Sequence, residues 1–565
     1  MNSKKSWLWL DRWFGLQVVL GLFAFGLAPS RCLPAQDAAG PFSKAPYLQA
    51  PGRDTMTIMW ESLTNHPGTV RFGLADHLDQ RVDAVAPRRM NNVWTVSVTN
   101  VVSVVTNSVT ITKTNVTSVS KTNFFYLYAA RLKDLQPAAT YSYAVELDRV
   151  ETPPRRFKTF PSDPETVRFI AYGDSRSEPR THAKVASQFR AHTPDFILHT
   201  GDLVARGKDY GLWAKEFFTP LATVIDEVPF FPVIGNHEED GTNYLGYFHL
   251  PGQGRWYSFE LGPVHVLALD FHFEKGSSEQ FQFARQDLLS TRAAWKIVVV
   301  HYPVFNIGGH ATGWGHADYL PLFHQAKVDL VIAGHSHVYE RFRPVAPIGA
   351  QASWPITCIT TGGGGARLYP SFDHPALFVR KSANHYMAFE ATRDTLQARA
   401  ILANGTLIDR LELHKVNGQL PPDYLAQVYP EESLKLFFEI APSLVGRATA
   451  LPSRAAPATV NLTLPPRKQS PQPAELEISL MPGSRRYYRL ENAPLRALMP
   501  PKGQTNTVWA KVRATGRKKI IEDKDHNLSP ALVFQAHVKA ADGETVVYGV
   551  KSQLSRTAAE PGKKP

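Results

Sequence analysis

Six short runs of mostly β-branched and aliphatic residues in this chain each end abruptly at a glycine, an aspartate or a histidine. Val167–Tyr172 runs into Gly173-Asp174, Phe196–Leu198 into Gly201-Asp202, and Phe230–Ile234 into Gly235-Asn236-His237. Val264–Leu269 ends at Asp270, Ile297–Val300 at His301, and Val331–Ala333 at Gly334-His335-Ser336-His337. Runs of this length and composition, bounded by glycine and polar residues, read as buried strands. The segments between several of them read as helices, among them Thr181 to His192 and Glu279 to Arg292, the latter with apolar Phe281, Phe283, Ala284, Leu288 and Leu289. Alternating strands and helices imply an α/β layered domain with mostly parallel strands. In such sheets ligands bind beyond the carboxyl ends of the strands. Residues far apart in sequence therefore converge: Asp174, Asp202, Asn236, His237, His301, His335 and His337. Carboxylate, amide oxygen and imidazole together suit transition-metal ions.

The 565 residues are enough for several domains, and 43% apolar with 20% charged residues is an ordinary globular balance. The net charge of +12 favours anionic partners such as phosphate esters, or simply a solvated basic surface. No zinc-finger or RNP motif is present, so the charge is not a nucleic-acid footprint.

The first 35 residues have the layout of a secretory signal: Lys4 and Lys5, an apolar stretch from Phe14 to Leu27, and small residues near Ala35. The alternative is an uncleaved anchor. Cleavage after Ala35 leaves Cys358 as the single cysteine, no transmembrane span, and a secreted or periplasmic location.

Residues 41–160 carry short alternating strands with turn signals, including Thr55–Trp60, Val70–Gly73 and Tyr141–Val145, which suggest a β-sandwich. Residues 93–122 repeat Val, Thr, Asn and Ser almost without charge and read as a low-complexity hairpin insertion. The catalytic unit is expected over 165–415. Residues 416–555 form a mostly-β accessory region, with a helix around Asp423 to Val428 or Glu432 to Phe438, and 556–565 a disordered tail.

Gly173-Asp174, Gly201-Asp202, Gly235-Asn236-His237-Glu238, His301-Tyr302-Pro303-Val304-Phe305 with His310, and Gly334-His335-Ser336-His337-Val338-Tyr339-Glu340-Arg341 occur in the order of the calcineurin-like metallophosphoesterase superfamily. The series most resembles its purple acid phosphatase branch. The resemblance covers roughly 41 to 415. Leu135-x-Pro137 with Tyr141 further resembles a fibronectin-type III corner, as in the domain that precedes the catalytic domain in that branch. The implied fold is an α/β sandwich of two sheets flanked by helices, with a fibronectin-III-like β-sandwich before it.

The resemblance implies two transition-metal ions, iron, zinc or manganese. Asp174 and His337 would bind the first; Asn236, His301 and His335 the second; Asp202 would bridge them. A hydroxide readied by the ions would attack phosphorus in line. His237 would protonate the leaving alkoxide, or only hydrogen-bond the substrate. His310 would bind a phosphoryl oxygen. Two departures stand out. Position 205 is alanine where purple acid phosphatases carry the tyrosine that gives the colour, and position 176 is arginine where other members carry histidine. A guanidinium does not ligate metals, so Arg176 is expected to fork onto the substrate phosphate. Asp270, Tyr339, Glu340 and Arg341 are expected to brace the ligands, and Gly362–Gly365 to form a turn. The expected activity is hydrolysis of phosphomonoesters. The alternatives are a phosphodiesterase or nucleotidase on the same fold, or a surface binding protein that has lost turnover.

Overall fold

The computed structural model describes residues 40–106, 109–310, 313–347, 353–371, 373–440, 446–448, 450–464, 475–498, 506–522, 528–539 and 545–554. The expected signal segment and the tail fall outside them. No helix among the described residues is long and apolar enough to cross a membrane.

Two sheets build the central unit. One has the order Phe230–Pro232, Phe196–His199, Val167–Tyr172, His385–Ala391, Thr395–Leu402, Leu407–His414. Its first three strands are parallel and the last three antiparallel. The other runs Tyr257–Leu261, Val264–Leu269, Trp295–Val300, Leu330–Ala333, Thr357–Thr361, Tyr339–Phe342, Leu377–Lys381, with four central strands parallel. Parallel strands in the middle of a sheet are covered on both faces, which is why these runs show no polar alternation.

Alternate residues divide between three cores, because successive side chains of a strand point to opposite faces. Phe169, Ala171 and Leu198 of one sheet meet Val266, Ala268, Ile297, Val299 and Ile332 of the other. On the outer face of the first sheet, Ile170, Tyr172 and Ile197 pack on Val185, Ala186 and Trp213. On the outer face of the second, Leu269, Val298, Val300 and Val331 pack on Ala284, Leu288 and Phe323. The result is a helix–sheet–sheet–helix sandwich.

The helix Glu279–Ser290 shows how the sequence sets these layers. Ser278 caps it by accepting the Phe281 N–H at 3.2 Å, with Glu279 in the first turn. Its buried stripe is Gln280, Ala284 and Leu288. Leu289, apolar though it is, is exposed. The polar member of the stripe is used: Gln280 accepts the Asp270 N–H at 2.7 Å and donates to Tyr319 Oη at 2.9 Å, which pins the end of strand Val264–Leu269. The first expected helix is shorter than its periodicity suggested, with Pro179–Ala186 followed by a 3₁₀ turn at Phe189–His192.

N-terminal to this unit, Phe42–Gln49, Met56–Ser62, Val109–Leu132 and Arg88–Thr106 form one sheet, and strands between Gly68 and Lys158 form a second. Trp60 is buried between them and stacks on Tyr128 at 5.2 Å. The expected insertion is the distal part of one long hairpin, Arg88–Thr106 paired with Val109–Leu132. This module docks through backbone and tyrosine contacts: Leu48 N–H to Ile225 O (2.8 Å), Tyr47 Oη to Tyr247 O (2.7 Å) and Tyr143 Oη to Asp226 O (2.7 Å). Lys44 and Glu61 form a buried ion pair at 2.6 Å, and Glu61 also accepts from Tyr210 and Tyr247.

At the other end, Leu420 and Tyr424 pack into the core between the two central sheets, so the chain leaves this unit later than residue 415. Helices occupy Pro422–Leu425 and Glu431–Ile440. The strands beyond form an eight-stranded sheet whose Val460, Leu476 and Phe534 join the core on the outer face of the second central sheet.

Candidate metal centre

All the strand-end residues singled out from the sequence gather at one edge of the two sheets. Asp174, Asp202 and His301 offer atoms that lie within 4.8 Å of one another, and all three are buried. Contacts link the rest. Asn236 Oδ1 is 3.0 Å from His301 Nε2 and 3.0 Å from His335 Nδ1. His301 Nε2 is 3.3 Å from Asp202 Oδ1, and His337 Nε2 is 3.4 Å from Asp174 Oδ1. His237 donates its backbone N–H to Asp202 Oδ1 at 2.9 Å, with its ring Nε2 3.8 Å from Asp202 Oδ2. The His310 ring lies 4.9 Å from that of His335.

The turns that do this carry strain. Asp174, Asp202 and His335 have φ of 55°, 59° and 64°. Non-glycine residues rarely occupy this region, and when they do they cluster at functional sites. Close packing holds the turns. A Cβ on Gly334 would stand 2.4 Å from Asp174 Oδ2 and 2.6 Å from Thr200 Oγ1, so only glycine lets the His335 turn sit against the first carboxylate. His335 N–H then reaches Asp174 Oδ2 at 2.9 Å. The run Gly362–Gly365, expected as a plain turn, lies against the backbone of Gly173, Ser175 and Ser336.

Backbone carbonyls fix three of the imidazoles. A carbonyl only accepts, so the ring nitrogen facing it carries the proton. His301 Nδ1 faces Thr200 O at 2.7 Å, His337 Nδ1 faces Arg367 O at 2.6 Å, and His237 Nδ1 faces Ala205 O at 2.7 Å. In each case Nε2 is turned toward the centre. Outer partners of this kind orient metal ligands.

Charge completes the picture. Burial works to raise the Asp202 carboxyl, but His301, His237 and Arg176 outweigh it and hold its pKa down at about 2. Burial, with His301 and His310 alongside, lowers His335 to about 2, so its ring is neutral. His337 is lowered by burial, yet Asp174 and the Arg367 carbonyl carry it above its ordinary value. Glu238 is pushed up to about 8 by burial and then by Asp202, against the backbone N–H groups it binds.

The donor set at the second position passes a geometric test for a metal. Ligands about 2.0–2.2 Å from a common ion stand about 3 Å apart in cis octahedral positions and about 3.4 Å apart in tetrahedral ones. The separations of 3.0, 3.0 and 3.3 Å among Asn236, His301, His335 and Asp202 lie in that range. One carboxylate oxygen, one amide oxygen and two imidazoles suit zinc, iron or manganese. The first position, at Asp174, Asp202 and His337, fits less well. Arg176, expected to fork onto the substrate phosphate, lies inside this position: its Nε is 3.1 Å from Asp202 Oδ2 and its Nη2 3.4 Å from His337 Nε2.

Several working residues escaped the sequence reading. Tyr369 stacks on His337 at 4.3 Å and its hydroxyl lies 3.0 Å from His310 Nε2. Tyr302 lies 4.2 Å from the His335 ring. Glu340, named from the sequence as a brace, accepts the N–H groups of Ile307 and Gly308 and so holds the loop that carries His310. Tyr339 and Arg341 brace elsewhere than expected, both gripping Asp409. Asp270 holds Arg255 and His272.

Two facing sheets thus bring aspartates, an asparagine and histidines together at their strand ends. Residues 167–339 match the calcineurin-like phosphoesterase family. Acid phosphatase type 7 of Danio rerio is 27% identical over 261 residues, 39% of this chain and 58% of the relative. Purple acid phosphatase 21 of Arabidopsis thaliana is 28% identical over 274 residues, 43% of this chain and 60% of the relative. The matches thus span less than two thirds of either relative's length. The purple acid phosphatase PPD1 from yellow lupin (Lupinus luteus) seeds shares the fold, with a TM-score of 0.53 at 18% identity over 68% of this chain and 76% of that one. Residues 167–339 are thus a calcineurin-like phosphoesterase domain, and the chain is similar in sequence to purple acid phosphatases over less than half of its length.

Proposed function

We propose that this protein is an exported, metal-dependent phosphoesterase that hydrolyses phosphomonoesters. The observation that carries the reading is that His301 Nε2 stands 3.0 Å from Asn236 Oδ1 and 3.3 Å from Asp202 Oδ1, three atoms that can each ligate a metal. A metal ion bound there acidifies water and polarises a phosphoryl oxygen. Thr200 O holds the His301 ring with its lone pair inward, and Glu238 holds the Asp202 and Gly235 backbones. His237 is the group placed to protonate the leaving oxygen. Its Nδ1–H is fixed by Ala205 O, its Nε2 faces the centre, and its side chain is 31% exposed, so a substrate can reach it. His310 and Tyr369 stand beside His335 and His337, where their N–H and O–H groups suit phosphoryl oxygens. Export rests on the lysines and apolar stretch of the first 35 residues. A fibronectin-III-like identity for residues 41–160 rests on the paired N-terminal sheets and the buried Trp60.

Hydrolysis of p-nitrophenyl phosphate and of bis-p-nitrophenyl phosphate, each with added manganese or zinc, tests the proposal. Faster turnover of the monoester is expected. Faster turnover of the diester makes the protein a phosphodiesterase. Turnover of neither by the folded, metal-loaded protein makes it a binding protein.

A further inference from the structure

The two positions defined by the predicted ligand sets differ in how their lone pairs are met. At Asp202, Asn236, His301 and His335, two side-chain oxygens and two ring nitrogens stand 3.0–3.3 Å from one another along the chain of contacts. His301 Nδ1 faces Thr200 O at 2.7 Å, which leaves Nε2 turned to Asn236 Oδ1 at 3.0 Å and Asp202 Oδ1 at 3.3 Å. That arrangement calls for a cation from outside.

At Asp174, Asp202 and His337 a cation is already built into the chain. His337 spends Nδ1–H on Arg367 O at 2.6 Å, and Arg176 Nη2 lies 3.4 Å from the remaining Nε2. Arg176 Nε reaches Asp202 Oδ2, the oxygen on the side away from His301, at 3.1 Å. The guanidinium is permanently charged, carries donors only and has no lone pair to offer a metal. It is well enclosed, with 16% of its side chain exposed. An ion here would have to share Asp202 Oδ2 and His337 Nε2 with a fixed positive charge, in a pocket where screening by water is weak. Neither position 176 nor position 205 supplies a further ligand, being arginine and alanine.

We infer that Arg176 takes the place of the first metal ion, so that the centre binds one transition-metal ion, at Asp202, Asn236, His301 and His335. The guanidinium supplies the second positive charge beside the phosphoryl oxygens. That last role rests on the phosphoesterase reading; the metal count does not.

The test is metal stoichiometry of the full chain, stripped with chelator, equilibrated with excess manganese and desalted. The expected result is one manganese per chain by mass spectrometry of the metal, with the paramagnetic resonance spectrum of an isolated ion. Arg176→His, which removes the fixed charge and adds a ligand, is expected to bind two with an exchange-coupled spectrum. Arg176→Lys, which keeps the charge, is expected to stay at one. Two coupled ions in the unaltered protein, or one ion in a folded Arg176→His, overturn the inference. Turnover of p-nitrophenyl phosphate on the same samples separates the two claims. One ion without turnover sinks the phosphoesterase reading alone, and two ions with turnover sink the inference alone.

Discussion

Glu238 accepts the backbone N–H of Asp202 at 2.9 Å, and through the same carboxylate it ties together the two turns that carry Asp202 and Asn236. It also accepts from Leu203 N at 2.8 Å and Gly235 N at 2.7 Å. Both turns leave parallel strands of the first sheet, and this one side chain sets their spacing. Glu238→Ala leaves these buried donors unpaired, at about 1–3 kcal/mol each. The expected outcome is a lower melting temperature together with weaker metal binding by calorimetry. Unchanged metal affinity would remove Glu238 from the account of the centre.

His237→Ala is expected to lower turnover by about 10²–10⁴-fold while metal content stays the same. The ring contributes a proton, and its backbone N–H to Asp202 survives the substitution. Metal analysis alongside steady-state kinetics checks both halves. Loss of metal would move His237 into the ligand set.

The docking of the N-terminal module depends on Lys44 and Glu61. Burial lowers Lys44 to about 8, and Glu61 beside it works against that shift. Glu61→Ala leaves Lys44 buried without its partner and removes the acceptor for the Tyr210 and Tyr247 hydroxyls. Loss of one member of a buried pair costs about 3–5 kcal/mol. Urea unfolding should show that loss. A change within about 0.5 kcal/mol, the usual range for a surface substitution, would contradict it.

Two histidines away from the predicted ligand set make the fold sensitive to acid. Burial lowers both His182 and His385 to about 4. His182 is locked as a neutral ring between Glu216 O at 2.8 Å and Tyr172 Oη at 2.9 Å. Between the unfolded pKa near 6.5 and the folded value, the unfolded chain takes up protons that the folded chain refuses. Stability is therefore full above pH ~6.5 and falls as pH drops, by on the order of 3 kcal/mol per histidine at pH 4. Melting temperature against pH should decline over that window, and His182→Gln should flatten the decline. A melting temperature that stays level down to pH 4 would contradict it.

Seven of the nine candidate residues, Asp174, Asp202, Asn236, His237, His301, His335 and His337, could be named from sequence because each follows a strand whose apolar run is unmistakable, and parallel topology sends those ends to one edge; Arg176 and His310 were legible only against the family pattern. The α/β sandwich was legible for the same reason. What escaped was held by tertiary contact. Tyr369 lies in a loop with no periodicity, and its stacking on His337 depends on where Thr357–Thr361 is laid in the sheet. The Gly362–Gly365 run looked like a turn because close backbone packing against Gly173 and Ser175 leaves no mark in a single sequence. The buried stripe of Glu279–Ser290 differs from its apolar set because Gln280 is polar but satisfied by Asp270, Phe273 and Tyr319. The contact of Arg176 with His337, 161 residues away in the chain, could not be read from its spacing to Asp174.

Turnover of p-nitrophenyl phosphate by the full chain before chelation, after it, and after manganese or zinc is restored bears most directly on the claim that these strand ends form a metal-dependent hydrolytic centre. The account predicts that chelation abolishes turnover, that either metal restores it, and that Asp202→Asn and His301→Ala stay inactive after restoration. Turnover that survives chelation, or that persists in both variants, would contradict it.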